Sequence, residues 1–158
     1  MFVSFPKFFV LALLWASPVL GKDASKEIPV KRLLMGKNGV DQDGESFFVV
    51  KNQDEWKKVS SEILGNSSNT LKVDFKTSQV LVVHSGQRSG GYSLSVKNIE
   101  IFDSKNPVRV KVNVVLTNPG ENCMTTSALE GLYEAIVIPV KYSIAQVSFA
   151  KAQSPSCK

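Results

Sequence analysis

Few side chains in this sequence could carry chemistry. The chain has a single histidine, His84, and two cysteines, Cys123 and Cys157. A catalytic thiol needs a base beside it, and a structural zinc site needs four ligands at paired spacings. One imidazole and no Cys-x-x-Cys spacing support neither strongly. His84 alternates with Val80 and Val82, which places all three on one face of a strand near its end, the position of a packed histidine more than of a base. The two cysteines read as a Cys123–Cys157 disulfide, provided the chain reaches an oxidising compartment. Closing a loop of that length contributes roughly 3–4 kcal/mol by chain entropy.

Other local patterns fall short of a catalytic or ligand site. Asp41-x-Asp43-Gly44 resembles part of a calcium loop, but with Gly44 at the sixth position, Gly39 and Val50 stand at the first and twelfth, where carboxylates belong. Gly86, Gly90 and Gly91 could turn backbone N–H groups toward an anion. Phosphate-binding loops lead into a helix, however, and Tyr92-Ser93-Leu94-Ser95-Val96 continues as strand. No serine lies in a Gly-x-Ser-x-Gly elbow. Asp74 abuts Phe75 in a predicted strand, where capping the turn or pairing with a lysine accounts for it, and Glu121 lies in a turn, so paired carboxylates are not assembled. Asn66-Ser67-Ser68 forms a glycosylation triplet of the kind that arises by chance. The expectation is a protein that is not an enzyme and takes no cofactor or metal.

These groups are positioned mostly by strands. Ile28–Met35 and Glu45–Lys51 are apolar-rich and flank two turn dipeptides, Asn38-Gly39 and Asp43-Gly44. Trp56, Val59 and Ile63 recur at helical spacing, predicting a helix over Asp54–Leu64 with Asn52 or Asp54 as its cap and Gly65 just past its end. Further strands are predicted over Leu71–Phe75, Gln79–His84, Tyr92–Phe102, Val108–Leu116, Leu132–Ile138 and Ile144–Phe149. Val108 to Val114 alternates valine with polar residues, the pattern of a half-buried strand in an antiparallel sheet. The apolar alternation slips at Lys97-Asn98, which predicts a β-bulge or a bend. The predicted class is mainly β, with α+β as the alternative: antiparallel sheets in a sandwich-like domain with one packed helix.

Lys7 followed by the apolar run Phe8–Leu20 and the small-residue site at Gly21 reads as a signal peptide over residues 1–21. The run spans about 13 residues, short of the roughly 20 that a membrane-spanning helix requires. Residues 22–158 are then a single mainly-β domain, expected outside the cytoplasm: secreted or, in a bacterium, periplasmic. Retention of the apolar run as an anchor is the competing reading. The formal charge of +5 over 158 residues is modest, and the lysines are scattered among strands. Neither a nucleic-acid footprint nor a second membrane segment is expected.

A strand, Val80–Val83, delivers Gly86-Gln87-Arg88-Ser89-Gly90-Gly91-Tyr92-Ser93 to what reads as a turn at one end of a sheet, where partners bind. That block resembles the PrcB C-terminal domain family, together with Val73-Asp74-Phe75, Pro119-Gly120-Glu121-Asn122-Cys123-Met124-Thr125-Thr126 and Tyr133 to Pro139. The similarity runs over residues 73–139, with no lipid-anchor cysteine in this chain. It implies a noncatalytic accessory protein that associates with a secreted serine protease and stabilises it. The Gly91-Tyr92-Ser93 turn also resembles a loop of chagasin-like protease inhibitors. That resemblance implies the alternative, an inhibitor acting through the 86–92 and 117–120 loops. Gln87, Arg88, Ser89, Gly90, Gly91, Tyr92 and Asn118 are the candidate partner-binding residues. Arg88 and Tyr92 are of types enriched at interface hot spots; for Tyr92 packing beneath the turn is the stronger expectation.

Overall fold

The computed structural model describes residues 26–38, 43–65 and 72–155. The signal-peptide segment, Asp41, the Asn66-Ser67-Ser68 triplet and Cys157 lie outside the described residues. In chain order the elements are β1 (Glu27–Ile28), β2 (Lys31–Asn38), β3 (Ser46–Val50), α1 (Gln53–Glu62), β4 (Ser78–Arg88), β5 (Ser93–Asp103), β6 (Val108–Asn118), β7 (Glu130–Pro139) and β8 (Tyr142–Gln153). They make two four-stranded sheets, ordered β1-β5-β6-β8 and β2-β7-β4-β3.

Alternation along the strands builds two apolar layers. Leu81 and Val83 of β4 and Leu132, Ile136 and Ile138 of β7 face Val96 and Ile99 of β5 and Val110, Val112 and Val114 of β6, which fills the space between the sheets. The opposite faces of β4 and β7 present Val80, Val82, Tyr133 and Ala135 to Trp56, Ile63 and Leu64 around α1. The β2-β7-β4-β3 sheet is therefore covered on both faces, and its central strands read as near-continuous apolar runs. Asn52 caps α1: its Oδ1 accepts from the N–H groups of Asp54 (3.1 Å) and Glu55 (2.9 Å). Glu55 reaches back to accept from the Lys51 N–H at 2.7 Å. Two of the orphaned first-turn N–H groups are satisfied in this way, and Glu55 fastens the residue ahead of the cap.

The mainly-β, two-sheet reading with one packed helix holds, as does the bulge, which falls between Val96 and Asn98 of β5. Four local expectations are corrected. β8 pairs with β6 in parallel, so the first sheet is mixed. The segment predicted as one strand from Ile28 divides at Pro29 and Val30 into β1 and β2, which join different sheets. No strand forms over the described part of Leu71–Phe75, because Asp74 closes a turn there. Its carboxylate accepts from Lys76 N (3.0 Å) and Thr77 Oγ1 (2.8 Å), and its carbonyl accepts from Ser78 N (3.0 Å). Finally, β4 does not end at His84; it passes through a register shift between His84 and Gln87 and continues to Arg88.

One buried polar cluster joins the sheets. Glu134 lies on the inward face of β7 and is wholly buried, with Arg32 of β2 donating to Oε1 from Nε at 2.7 Å. Oε2 accepts from the Val96 N–H at 2.6 Å, and the Arg32 guanidinium donates to the Val96 carbonyl at 3.1 Å. The reason lies in the sheet edge. β1 is two residues long and pairs with β5 only at Ile99 and Glu100. Val96, beside the bulge, has its outward backbone groups satisfied by side chains from the opposite sheet instead of a neighbouring strand.

Candidate functional site

Two connections meet at one end of the sandwich: residues 89–92 between β4 and β5, and residues 119–129 between β6 and β7. The Gly90 N–H donates to the Thr126 carbonyl at 3.0 Å and ties the two together. The glycines are required by this contact. A Cβ on Gly90 would collide with Thr126 Oγ1, and one on Gly91, where φ is +87°, would stand 2.8 Å from Thr125 Cγ2 and 3.0 Å from Pro119 Cβ. Gly90 is thus buried under the longer connection, while Gly91 stays exposed beside it.

The longer connection begins with a tight turn in which Cys123 N donates to the Gly120 carbonyl at 3.0 Å. The strand after β7 returns to this place: Ser154 N donates to the Asn118 carbonyl at 2.9 Å. A Cβ on Gly120 would lie 3.2 Å from both Cys123 Sγ and the Ser154 carbonyl oxygen. Residues 123–129 then run without helix, strand or turn to β7, and all but Cys123 are exposed. Met124 is 102% exposed and Leu129 59%. Beneath the loop a cavity of about 30 Å³ opens between Gly91, Ser93, Thr117, Pro119, Cys123 and Thr125. That volume suits a water molecule, whereas ligand pockets measure roughly 300–1,000 Å³.

The structure divides the candidate residues predicted from sequence. Gln87 and Arg88 belong to β4, opposite Gly131 and Glu130 in the ladder. Arg88 does not reach the loop tip: its guanidinium pairs with Glu45 at 3.1 Å and donates to the Gln87 carbonyl at 3.1 Å, leaving the side chain 25% exposed. Tyr92 is half-buried and packs against the core between the sheets, as expected. Ser89 is half-buried, while Gly90 is buried under Thr126. Asn118 ends β6 and holds the returning chain through its carbonyl. What sequence reading missed is the outer loop itself, Met124 to Leu129. Its signal was an uncharged run between Glu121 and Glu130 in a chain with 21% charged residues.

His84 is fully buried on the helix-side face of β4, with Nδ1 accepting from the Gly86 N–H at 3.0 Å. Burial holds its pKa below 6.5, and the Arg88 cation adds to that shift. A neutral imidazole is the result, with Nε2 carrying the proton, since Nδ1 is the acceptor. Its role is to brace the bulge at Gly86. Among the described residues no three His, Cys, Asp or Glu side chains gather as metal ligands would. No helix among them is long and apolar enough to cross a membrane.

A helix-backed β-sandwich whose loops interlock at one end, with a glycine buried under an exposed uncharged loop, is the class these features define. Residues 79–139, from β4 to β7 and including both loops, match the family model described as PrcB C-terminal. No curated protein and no solved structure matches the chain. The family suggests a protease-associated accessory module with a protein partner.

Proposed function

We propose that this protein is a noncatalytic accessory module that works outside the cytoplasm, where it binds a protease or protease complex and stabilises it. The observation that carries the reading is the PrcB C-terminal match over residues 79–139, which spans both connections at the loop end of the sandwich. The geometry is compatible: ion pairs hold Arg88 on Glu45 and Lys37 on Glu130 (2.7 Å) behind the loops, and leave the tip uncharged. Uncharged, partly apolar surfaces are the part of an interface that loses water most cheaply. Stabilisation follows from mass action, because a ligand that binds only the folded partner adds about 2.7 kcal/mol at a hundredfold excess over its dissociation constant.

The test is to isolate the protein with its partners from its native extract, then follow the thermal inactivation of any co-purified protease with and without added pure protein. A concentration-dependent rise in protease half-life is expected. Absence of any protease from the isolate, after chemical crosslinking, would sink the reading. The inhibitor alternative draws support from one observation, the protruding Met124, and residual proteolysis under saturating protein separates it from pure stabilisation.

A further inference from the structure

We infer that the segment Met124–Leu129, with Met124 as its central side chain, is the element that docks into an apolar pocket on the partner protease; the inference rests on the accessory-module reading. Of the large apolar side chains exposed among the described residues, Met35, Phe47, Phe102 and Val140 stand on separate elements or turns, whereas Met124 and Leu129 share one loop. Single exposed apolar residues are ordinary on protein surfaces. Phe102, for example, already carries Arg109 over its ring at 5.7 Å. Met124 differs in how it is held. On one side Cys123 is fixed by the Gly120 carbonyl, and on the other Thr126 is fixed by the Gly90 N–H, both at 3.0 Å. Thr125 rests on Gly91. The backbone is therefore pinned immediately before and after a side chain that touches almost nothing.

A pinned loop has lost its backbone ordering entropy before any partner arrives, so docking has only the rotamers of the Met124 side chain left to order. Methionine suits the task, since its flexible thioether fits pockets of irregular shape. The neighbours Thr125, Thr126, Ser127 and Ala128 are small and uncharged, so they approach a partner without charge desolvation. The nearest charges on the chain, Glu121 and Glu130, flank the segment, and Glu130 is already paired with Lys37. Hot spots have this anatomy: one anchor surrounded by near-neutral contacts that exclude water.

The test places the photoreactive residue p-benzoylphenylalanine at position 124 or at position 140 of the full chain, in cells that make the protein. Val140 is an apolar, exposed control at the far end of β7, about 33 Å away for ten strand residues. Position 124 is expected to crosslink to a protease and position 140 is not. Met124→Asp should then weaken the affinity for that protease at least about tenfold, and Met124→Leu should keep it within about threefold. Because Met124 packs against so little, circular dichroism of both variants is expected to match the parent. Capture of the protease from position 140 and not 124, or unchanged affinity of Met124→Asp, overturns the docking assignment while the accessory reading stands. If neither position yields a protease, the docking inference is overturned; the accessory reading falls with it only when the chemically crosslinked isolate also lacks a protease.

Discussion

Replacing Arg32 with alanine leaves the Glu134 carboxylate buried between the sheets with the Val96 N–H as its remaining hydrogen-bond donor in the cluster. Breaking a buried pair by removing one partner typically costs about 3–5 kcal/mol. Here the Arg32 side chain is 50% exposed although Glu134 is 0% exposed, so water can enter where the guanidinium stood. A discounted loss of about 2–3 kcal/mol follows. Glu134→Leu removes the charge but strands the Val96 N–H, at about 1–3 kcal/mol. The double variant has no buried charge left to desolvate, so its loss should fall short of the sum of the singles by about 1 kcal/mol or more. Urea unfolding followed by circular dichroism reads all three, with the parent's m-value retained if the fold is unchanged. A loss under about 0.5 kcal/mol for Arg32→Ala, or strict additivity in the cycle, would refute the argument that this pair fastens one sheet to the other.

Three further outcomes are expected. Burial, then Arg88, depresses the His84 pKa in the folded state, so the unfolded chain binds the extra proton first. Stability should be full above pH 6.5 and fall as the pH drops below it toward the folded pKa, by at most about 1.4 kcal/mol per pH unit; His84→Gln should remove that part of the pH profile. Ser60 and Trp56 face the sheet from α1, and neither Ser60 Oγ nor Trp56 Nε1 has a hydrogen-bond partner among the described residues. Ser60→Ala is therefore expected to be neutral or to raise stability by up to about 1 kcal/mol in thermal unfolding, and a loss above that size would reveal an unseen partner. Oxidised protein is expected to titrate no free thiol, and Cys157→Ser to lower the unfolding midpoint by the equivalent of about 3–4 kcal/mol; a freely titrating Cys123 in the parent would exclude the Cys123–Cys157 link.

Legibility in the sequence followed the distance over which each feature is decided. The valine alternation of β6 and the slipped pattern at Lys97-Asn98 are set within a few residues, and both are seen in the structure. Asn52 could be recognised because capping is local. β8 alternates much as an antiparallel strand does, and only its non-local partner β6 makes the pair parallel. The apolar residues of Leu71–Phe75 predict a strand, but Asp74, which the sequence already allows as a turn cap, folds its carboxylate back on Lys76 and Thr77 and stops it. Arg88 was placed at the turn because Glu45, its partner, lies 43 residues away. Glu134 sits in an apolar run that gives no hint of Arg32, which is 102 residues earlier. At the loop end, the glycines signalled a close approach but not what approaches; that segment, Met124 to Leu129, has no periodicity, and its uncharged run was its one signal.

The Arg32–Glu134 contact also bears on the order of folding. Docking the two sheets takes the Glu134 carboxylate out of water, and its counter-charge arrives on an edge strand 102 residues away in the chain. Pairings so distant pay loop-closure entropy before any contact rewards them, which slows β-rich folds. In any route where β7 docks against β5 and β6 before β2 arrives, the carboxylate is partly dehydrated and unpaired until β2 pairs. Substituting apolar residues for the pair would lower that barrier even where it leaves the native state no more stable, and sheet docking would then no longer wait on β2. The polar cluster thus couples the pairing of the β2 edge strand to the closing of the core, because the carboxylate is fully partnered only when both are in place.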